Sequence, residues 1–142
     1  MTQPGSAPQP TVTEARVVWD FTIGEPDKFV MRLEDMRETM NTFEARGLTA
    51  RFAMIVRGPA SRLMVPEPPA QPTPELTAKA RKVAPLLREL ADRGVLVEQC
   101  GVALGRQGVR REDLLPFVTV IHNSYVSIVE YELRGYAYVP ID

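Results

Sequence analysis

Gly94 to Leu115 reads GVLVEQCGVALGRQGVRREDLL, and this stretch decides the fold. Val95-Leu96-Val97 is a short apolar, β-branched-rich run opened by Gly94, the pattern of a buried strand ending near Cys100. Gly101 provides a tight turn, and Val102, Ala103 and Leu104 with Arg106 read as the first turns of a short helix broken by Gly108. Cys100, the only cysteine, therefore stands at a strand-to-helix corner with its thiol toward a helix N-terminus. In open α/β sheets the crevice outside the carboxyl ends of the strands is where ligands bind, so a reactive group is expected at such a corner. A thiolate is the nucleophilic form, and helix N-termini and nearby cations favour it. A dipole worth about 0.3–1 kcal/mol at an exposed terminus is too weak to act alone, so a useful thiolate needs another partner. Arg106, Arg110 and Arg111 are near in sequence, and His122, the only histidine, is a candidate to be near in space. Free cysteine is also among the most buried residue types and often acts as a small hydrophobe, so an inert Cys100 is the competing reading.

At 142 residues the chain fits one domain with a real core. Its 17 basic and 18 acidic side chains leave a formal charge of −1, which gives no net field for nucleic acid or an anionic membrane. No apolar run approaches the roughly 20 residues of a membrane span, and the basic-then-apolar layout of a secretory signal is absent. A soluble, cytoplasmic protein is expected. One cysteine excludes an intramolecular disulfide and leaves no resolving thiol within the chain.

Residues 1–15, opening with the Pro- and Gln-rich MTQPGSAPQPTV, are expected to form a disordered tail, and 16–142 a single domain. Val17 to Ile23 is β-branched and aromatic and stops at Gly24, as a first strand should; of its polar groups, which need partners, Asp20 is the notable one, expected to be hydrogen-bonded or exposed at the strand's end. From Pro26, the residues Phe29, Leu33, Met36, Met40 and Phe43 recur at helical spacing, and Gly47 closes that helix. Leu48 to Val56 is the second strand, and Arg57-Gly58-Pro59 ends it at a carboxyl edge, making Arg57 and Gly58 candidates for the crevice. Ala60 to Val65 suggests a short helical turn, and Pro66 to Pro74 is an extended loop, read as a surface insertion rather than a flap. Thr73 and Pro74 start the next helix, with Leu76, Ala80, Val83, Leu87 and Leu90 as its apolar face and a kink or restart expected at Pro85. Glu112 to Leu115 reads as one more helical turn before Pro116. Phe117 to Ile121 is the fourth strand, with His122-Asn123-Ser124 at its carboxyl end, so His122 and Asn123 join Cys100, Gly101, Arg57 and Gly58 as candidate site residues. Ser124 or Ser127 can cap the final helix, with Ser127 and Glu130 at capping-box spacing, and Tyr136 to Val139 is a last strand.

Strands separated by helices favour parallel pairing with helices on both faces. The expected fold is α/β, a three-layer sandwich with a mainly parallel five-stranded sheet. Neither a G-x-G-x-x-G after the first strand nor a G-x-x-x-x-G-K-[ST] is present, so no phosphate cradle is seen. One His and one Cys cannot form a structural zinc site, no G-x-S-x-G elbow exists, and no metal or cofactor is expected.

Taken together, several segments resemble the DsrE/DsrF-like family, small sulfur-relay proteins related to the TusD subunit of tRNA thiolation. They are Pro26-Asp27-Lys28 after the first strand, Arg57-Gly58-Pro59, Leu90 to Val95 leading into Glu98-Gln99-Cys100-Gly101, Glu112 to Pro116, and Gly135 to Pro140. The resemblance spans Arg16 to Pro140 and rests on the order and spacing of these segments. It implies a DsrE-like parallel α/β fold, assembly into homo-oligomers such as trimers or hexamers, and a persulfide carried on Cys100 and passed to a partner. Two features depart from the family pattern: Arg57 stands where many relatives have histidine, and the Pro66 to Pro74 loop is unusually rich in proline.

Two functions of different classes follow. In the first, the protein is a sulfurtransferase-type carrier served by donor and acceptor proteins, with Arg57, His122 or an arginine near Cys100 stabilising the thiolate. In the second, it is a non-enzymatic oligomeric binding or assembly module with an inert Cys100. A transfer cysteine must be reachable, which separates the two.

Overall fold

The computed structural model describes residues 11–142, so most of the expected tail, residues 1–10, lies outside the described residues. The strands are β1 (Glu14–Phe21), β2 (Thr49–Val56), β3 (Leu96–Cys100), β4 (Thr119–Ile121) and β5 (Ala137–Ile141). The helices are α1 (Pro26–Ala45), α2 (Pro74–Asp92), α3 (Gly101–Gln107) and α4 (Ser124–Leu133), with 3-10 turns at Gly58–Leu63 and Arg111–Asp113. β1 thus takes in Glu14 and Ala15, two residues of the stretch assigned to the tail, because they pair with Thr49 and Ala50 of β2.

The sheet is parallel throughout, in the order β4-β3-β2-β1-β5. From β1 to β4 the chain steps one strand at a time in one direction, then crosses the sheet to place β5 beyond β1. Right-handed crossovers put helices of the forward steps on one face and the helix of the return step on the other. On the first face, Val17, Trp19 and Phe21 of β1 meet Phe29, Leu33 and Met36 of α1, and Val83, Leu87 and Leu90 of α2 join the same core. On the second, Val18, Ala53 and Ile55 lie under Ile128 and Tyr131 of α4. Burial on both faces is why β1 and β2 read as continuous apolar runs instead of alternating ones.

Three local expectations are corrected. The helix containing Pro85 does not restart; α2 is continuous from Pro74 to Asp92. Pro85 and Arg81 are exposed, so water can serve the carbonyl that proline leaves unpaired, while buried Val83, Leu87 and Leu90 hold both halves against the core. Alanine is about 3 kcal/mol better than proline in a helix interior, and loss of proline's restraint on the unfolded chain returns less than about 1 kcal/mol. Pro85→Ala is therefore expected to stabilise the fold by about 2 kcal/mol, seen as a higher urea midpoint; a lower midpoint would mean that the proline ring packs better than its backbone fits.

The fourth strand is shorter than Phe117 to Ile121, because Pro116 and Phe117 form a turn closed by the Val118 N–H on the Leu115 carbonyl at 3.1 Å. The cap of α4 is neither serine. It is Asn123, whose Oδ1 accepts from the Tyr125 N–H at 2.9 Å, leaving Ser124 as the first helical residue and Ser127 inside the helix.

Candidate functional site

Parallel strands of one sheet end on one side, and here that side collects the unusual residues. β3 ends at Cys100, which is the N-cap of α3, with extended backbone at φ −66° and ψ 121°. β4 is the neighbour of β3, with Cys100 opposite Ile121 in register, so the following residues His122, Asn123 and Ser124 rise beside the cysteine. β2 is the neighbour on the other side, and Arg57 and Gly58 follow its last residue. Gly58 takes φ +59°, a conformation that L side chains rarely adopt, and it turns the chain into the 3-10 segment.

The corner at Cys100 also depends on glycine for closeness. A Cβ on Gly101 would lie 3.1 Å from the Ile121 carbonyl oxygen and 3.4 Å from Arg111 Nη2. Gly101→Ala must push α3 away from the end of β4, with an expected loss of about 1–3 kcal/mol. Thermal unfolding checks this; an unchanged midpoint would show that the corner has slack.

A cavity of about 300 Å³ opens between these strand ends, lined by Arg57, Gly58, Cys100, Arg106, Asn123 and Ser124 among others. Cys100 is 5 % exposed, so the thiol is buried apart from what faces this cavity. Burial pushes the thiol up, but hydrogen bonding by the Ser124 hydroxyl, and by the backbone N–H groups of Ala103, Ser124 and Val102, outweighs it and leaves the thiol below its ordinary value. Val102 and Ala103 are the second and third residues of α3, so their influence on the thiol comes from the N-terminal N–H groups of that helix, although Cys100 makes no side-chain capping hydrogen bond. The corner is braced from beneath: buried Gln99 donates from Nε2 to Ser61 Oγ at 2.8 Å and to the Cys100 carbonyl at 3.1 Å.

Arg57 is held from behind. Asp20, 2 % exposed at the carboxyl end of β1, accepts from Arg57 Nε on Oδ1 and from Nη2 on Oδ2, both at 2.9 Å. Tyr138 of β5 donates its hydroxyl to Asp20 Oδ2 at 2.5 Å, and the guanidinium lies over the Tyr125 ring at 5.3 Å. Hydrogen bonding to Asp20, opposed by burial, holds Arg57 above its already high ordinary value, so it is a permanent cation. The Tyr138 phenol is raised by its own hydrogen bond to Asp20.

Of the sequence candidates, Cys100, Arg57, Gly58 and Asn123 line one cavity, and Gly101 shapes the corner beside it. Asn123 has its carbonyl oxygen engaged in capping α4. His122 is exposed and does not line the cavity, so its strand-end position does not bring it to the thiol. The thiol's side-chain partner is instead Ser124, 3 % exposed, which sequence reasoning had absorbed as a helix cap. A larger cavity of about 810 Å³ has Arg62, Pro66, Pro69, Glu112 and Leu114 among its lining, so part of the Pro66 to Pro74 loop forms its wall. It holds no nucleophile or base of the strand-end cluster, and the smaller cavity is the better candidate for chemistry.

No family model matches the chain. An uncharacterized protein of Aquifex aeolicus (strain VF5) is 24% identical over 126 residues, which is 88% of this chain and 55% of that protein, so the chain spans about half the length of the curated relative it matches. The structure of MTH1491 from Methanobacterium thermoautotrophicum, a protein of unknown function, superposes with a TM-score of 0.72 at 19% identity over 89% of this chain and 99% of that one. The ychN protein of E. coli gives a TM-score of 0.59 at 14% identity, covering 91% of this chain and 99% of that one. At these identities the likeness concerns the fold alone.

Proposed function

We propose that this protein is a DsrE-like sulfur carrier in which Cys100 takes up a sulfane sulfur as a persulfide and passes it to a partner protein. The observation that carries this reading is a lone cysteine on the wall of a cavity, with its thiol lowered by the Ser124 hydroxyl and the first N–H groups of α3. The Cys100 thiolate attacks the outer sulfur of a donor persulfide; the donor's S–S bond breaks and the donor leaves as a thiolate with the electron pair. An acceptor thiolate then attacks the outer sulfur on Cys100, and Cys100 leaves in the same way. No oxidant or reductant is consumed, and no second cysteine is needed in the chain.

The proposal extends to assembly. Val126, Val129 and Leu133 are exposed on α4, which supports association of copies of the chain through that face. A cytoplasmic setting agrees with a free thiol.

One observation favours the second reading, a binding module with an inert cysteine: Cys100 is only 5 % exposed. Exposure of the folded protein to a persulfide donor, followed by intact-mass measurement, decides between them. The carrier gains one sulfur on Cys100 and loses it to an added acceptor thiol. A protein that stays unmodified until it is unfolded is the binding module.

A further inference from the structure

Arg57 and Arg106 both line the Cys100 cavity, and among the described residues no Asp or Glu does. The carboxylate nearest in the network, Asp20, sits behind Arg57 with both oxygens engaged, Oδ1 by Nε and Oδ2 by Nη2 and Tyr138. Arg57 Nη1 has no hydrogen-bond partner among the described residues, and Arg106 makes no ion pair among them. A bidentate clamp on one edge of a guanidinium leaves the other edge fixed in direction, which is the arrangement for recognising an anion. The geometry points to an anion subsite in the Cys100 cavity, made by the free edge of Arg57 with Arg106, so that the sulfur compound or peptide meeting Cys100 carries an anionic group beside its reacting sulfur. Asp20 and Tyr138 are positioning residues for that subsite. The inference rests on the carrier reading for its substrate, but the subsite itself is measurable without sulfur transfer.

The test uses the full chain and two nearly isosteric reagents, anionic iodoacetate and neutral iodoacetamide. Both react with the same thiolate through the same opening, so thiol acidity and access cancel in the ratio of their rates. Relative to the unfolded chain, the folded protein is expected to favour iodoacetate by about fivefold at low ionic strength, and the preference is expected to shrink as salt is added. Arg106→Gln, a change on an exposed side chain, should lower the preference. The double variant Asp20→Asn/Arg57→Gln removes both charges of the buried pair together and should abolish most of the remainder. Equal ratios in folded and unfolded protein would overturn the subsite, as would a raised ratio that neither variant changes. Sulfur loading with a flat ratio overturns this inference alone; a raised ratio without loading leaves the subsite and removes the carrier.

Discussion

Arg57→Gln is expected to cost about 3 kcal/mol of folding stability, far more than a half-exposed surface cation would, because it strands a buried carboxylate. Asp20 is 2 % exposed and takes two of its three hydrogen bonds from Arg57, leaving only Tyr138 once the guanidinium is gone. An uncompensated buried charge is the large term in such deletions, typically about 3–5 kcal/mol, and the 28 % exposure of the Arg57 side chain argues for the lower end. The double variant Asp20→Asn/Arg57→Gln removes the charge that was stranded and is expected to recover most of the loss. Urea denaturation of the two variants checks the argument: equal destabilisation would mean that the pair acts through packing and not through charge.

Cys100→Ser is expected to abolish sulfur loading completely while leaving the fold in place. The hydroxyl is slightly smaller than the thiol and meets the same polar surroundings, Ser124 and the start of α3. It cannot form a persulfide. The pH dependence of stability separates the two proteins as well. A thiol whose folded value lies below its unfolded value contributes stability that is fully present above the unfolded value, about 8.5, and is lost as pH falls through the folded value. The wild type should therefore gain on Cys100→Ser as pH rises toward and past that of a free thiol. Sulfur retained by the serine variant would place the carrier function elsewhere, and a stability difference independent of pH would show that the thiol is not acidified.

Much of the architecture was legible because the parallel sheet buries both faces of β1 and β2, and such strands announce themselves as short apolar runs closed by Gly or Pro. The all-parallel pairing followed from helices lying between strands, and Gly94 to Gly108 specified the β3-to-α3 corner. Boundaries failed where a competing local bond won: Asn123 out-competed both serines for the cap of α4, and the Leu115 to Val118 turn shortened β4. Pro85 does not restart the helix because its effect on the backbone is local, whereas α2 is held by its buried face on either side of the proline.

The site was legible in part. Cys100, Arg57, Gly58 and Asn123, chosen for their strand-end positions, line one cavity, since parallel strands end together. The same logic named His122 and passed over Ser124, though they are two residues apart; which of them faces Cys100 is set by where α4 begins, and that depends on the cap. Had Asn123 been taken as the cap, Ser124 would have become the first turn's inward residue. The Asp20, Arg57 and Tyr138 cluster joins three strands that are far apart in the chain, and only the order β2-β1-β5 brings them together.

The measurement that tests the central claim most directly is the pH dependence of Cys100 alkylation in the folded protein, run beside Ser124→Ala. An activated thiol gives a rate midpoint below the free-thiol value of about 8.5, moving upward when the Ser124 hydroxyl is removed. A midpoint at or above the free-thiol value, unaffected by Ser124→Ala, would contradict the account and leave Cys100 as a buried side chain with no chemistry of its own.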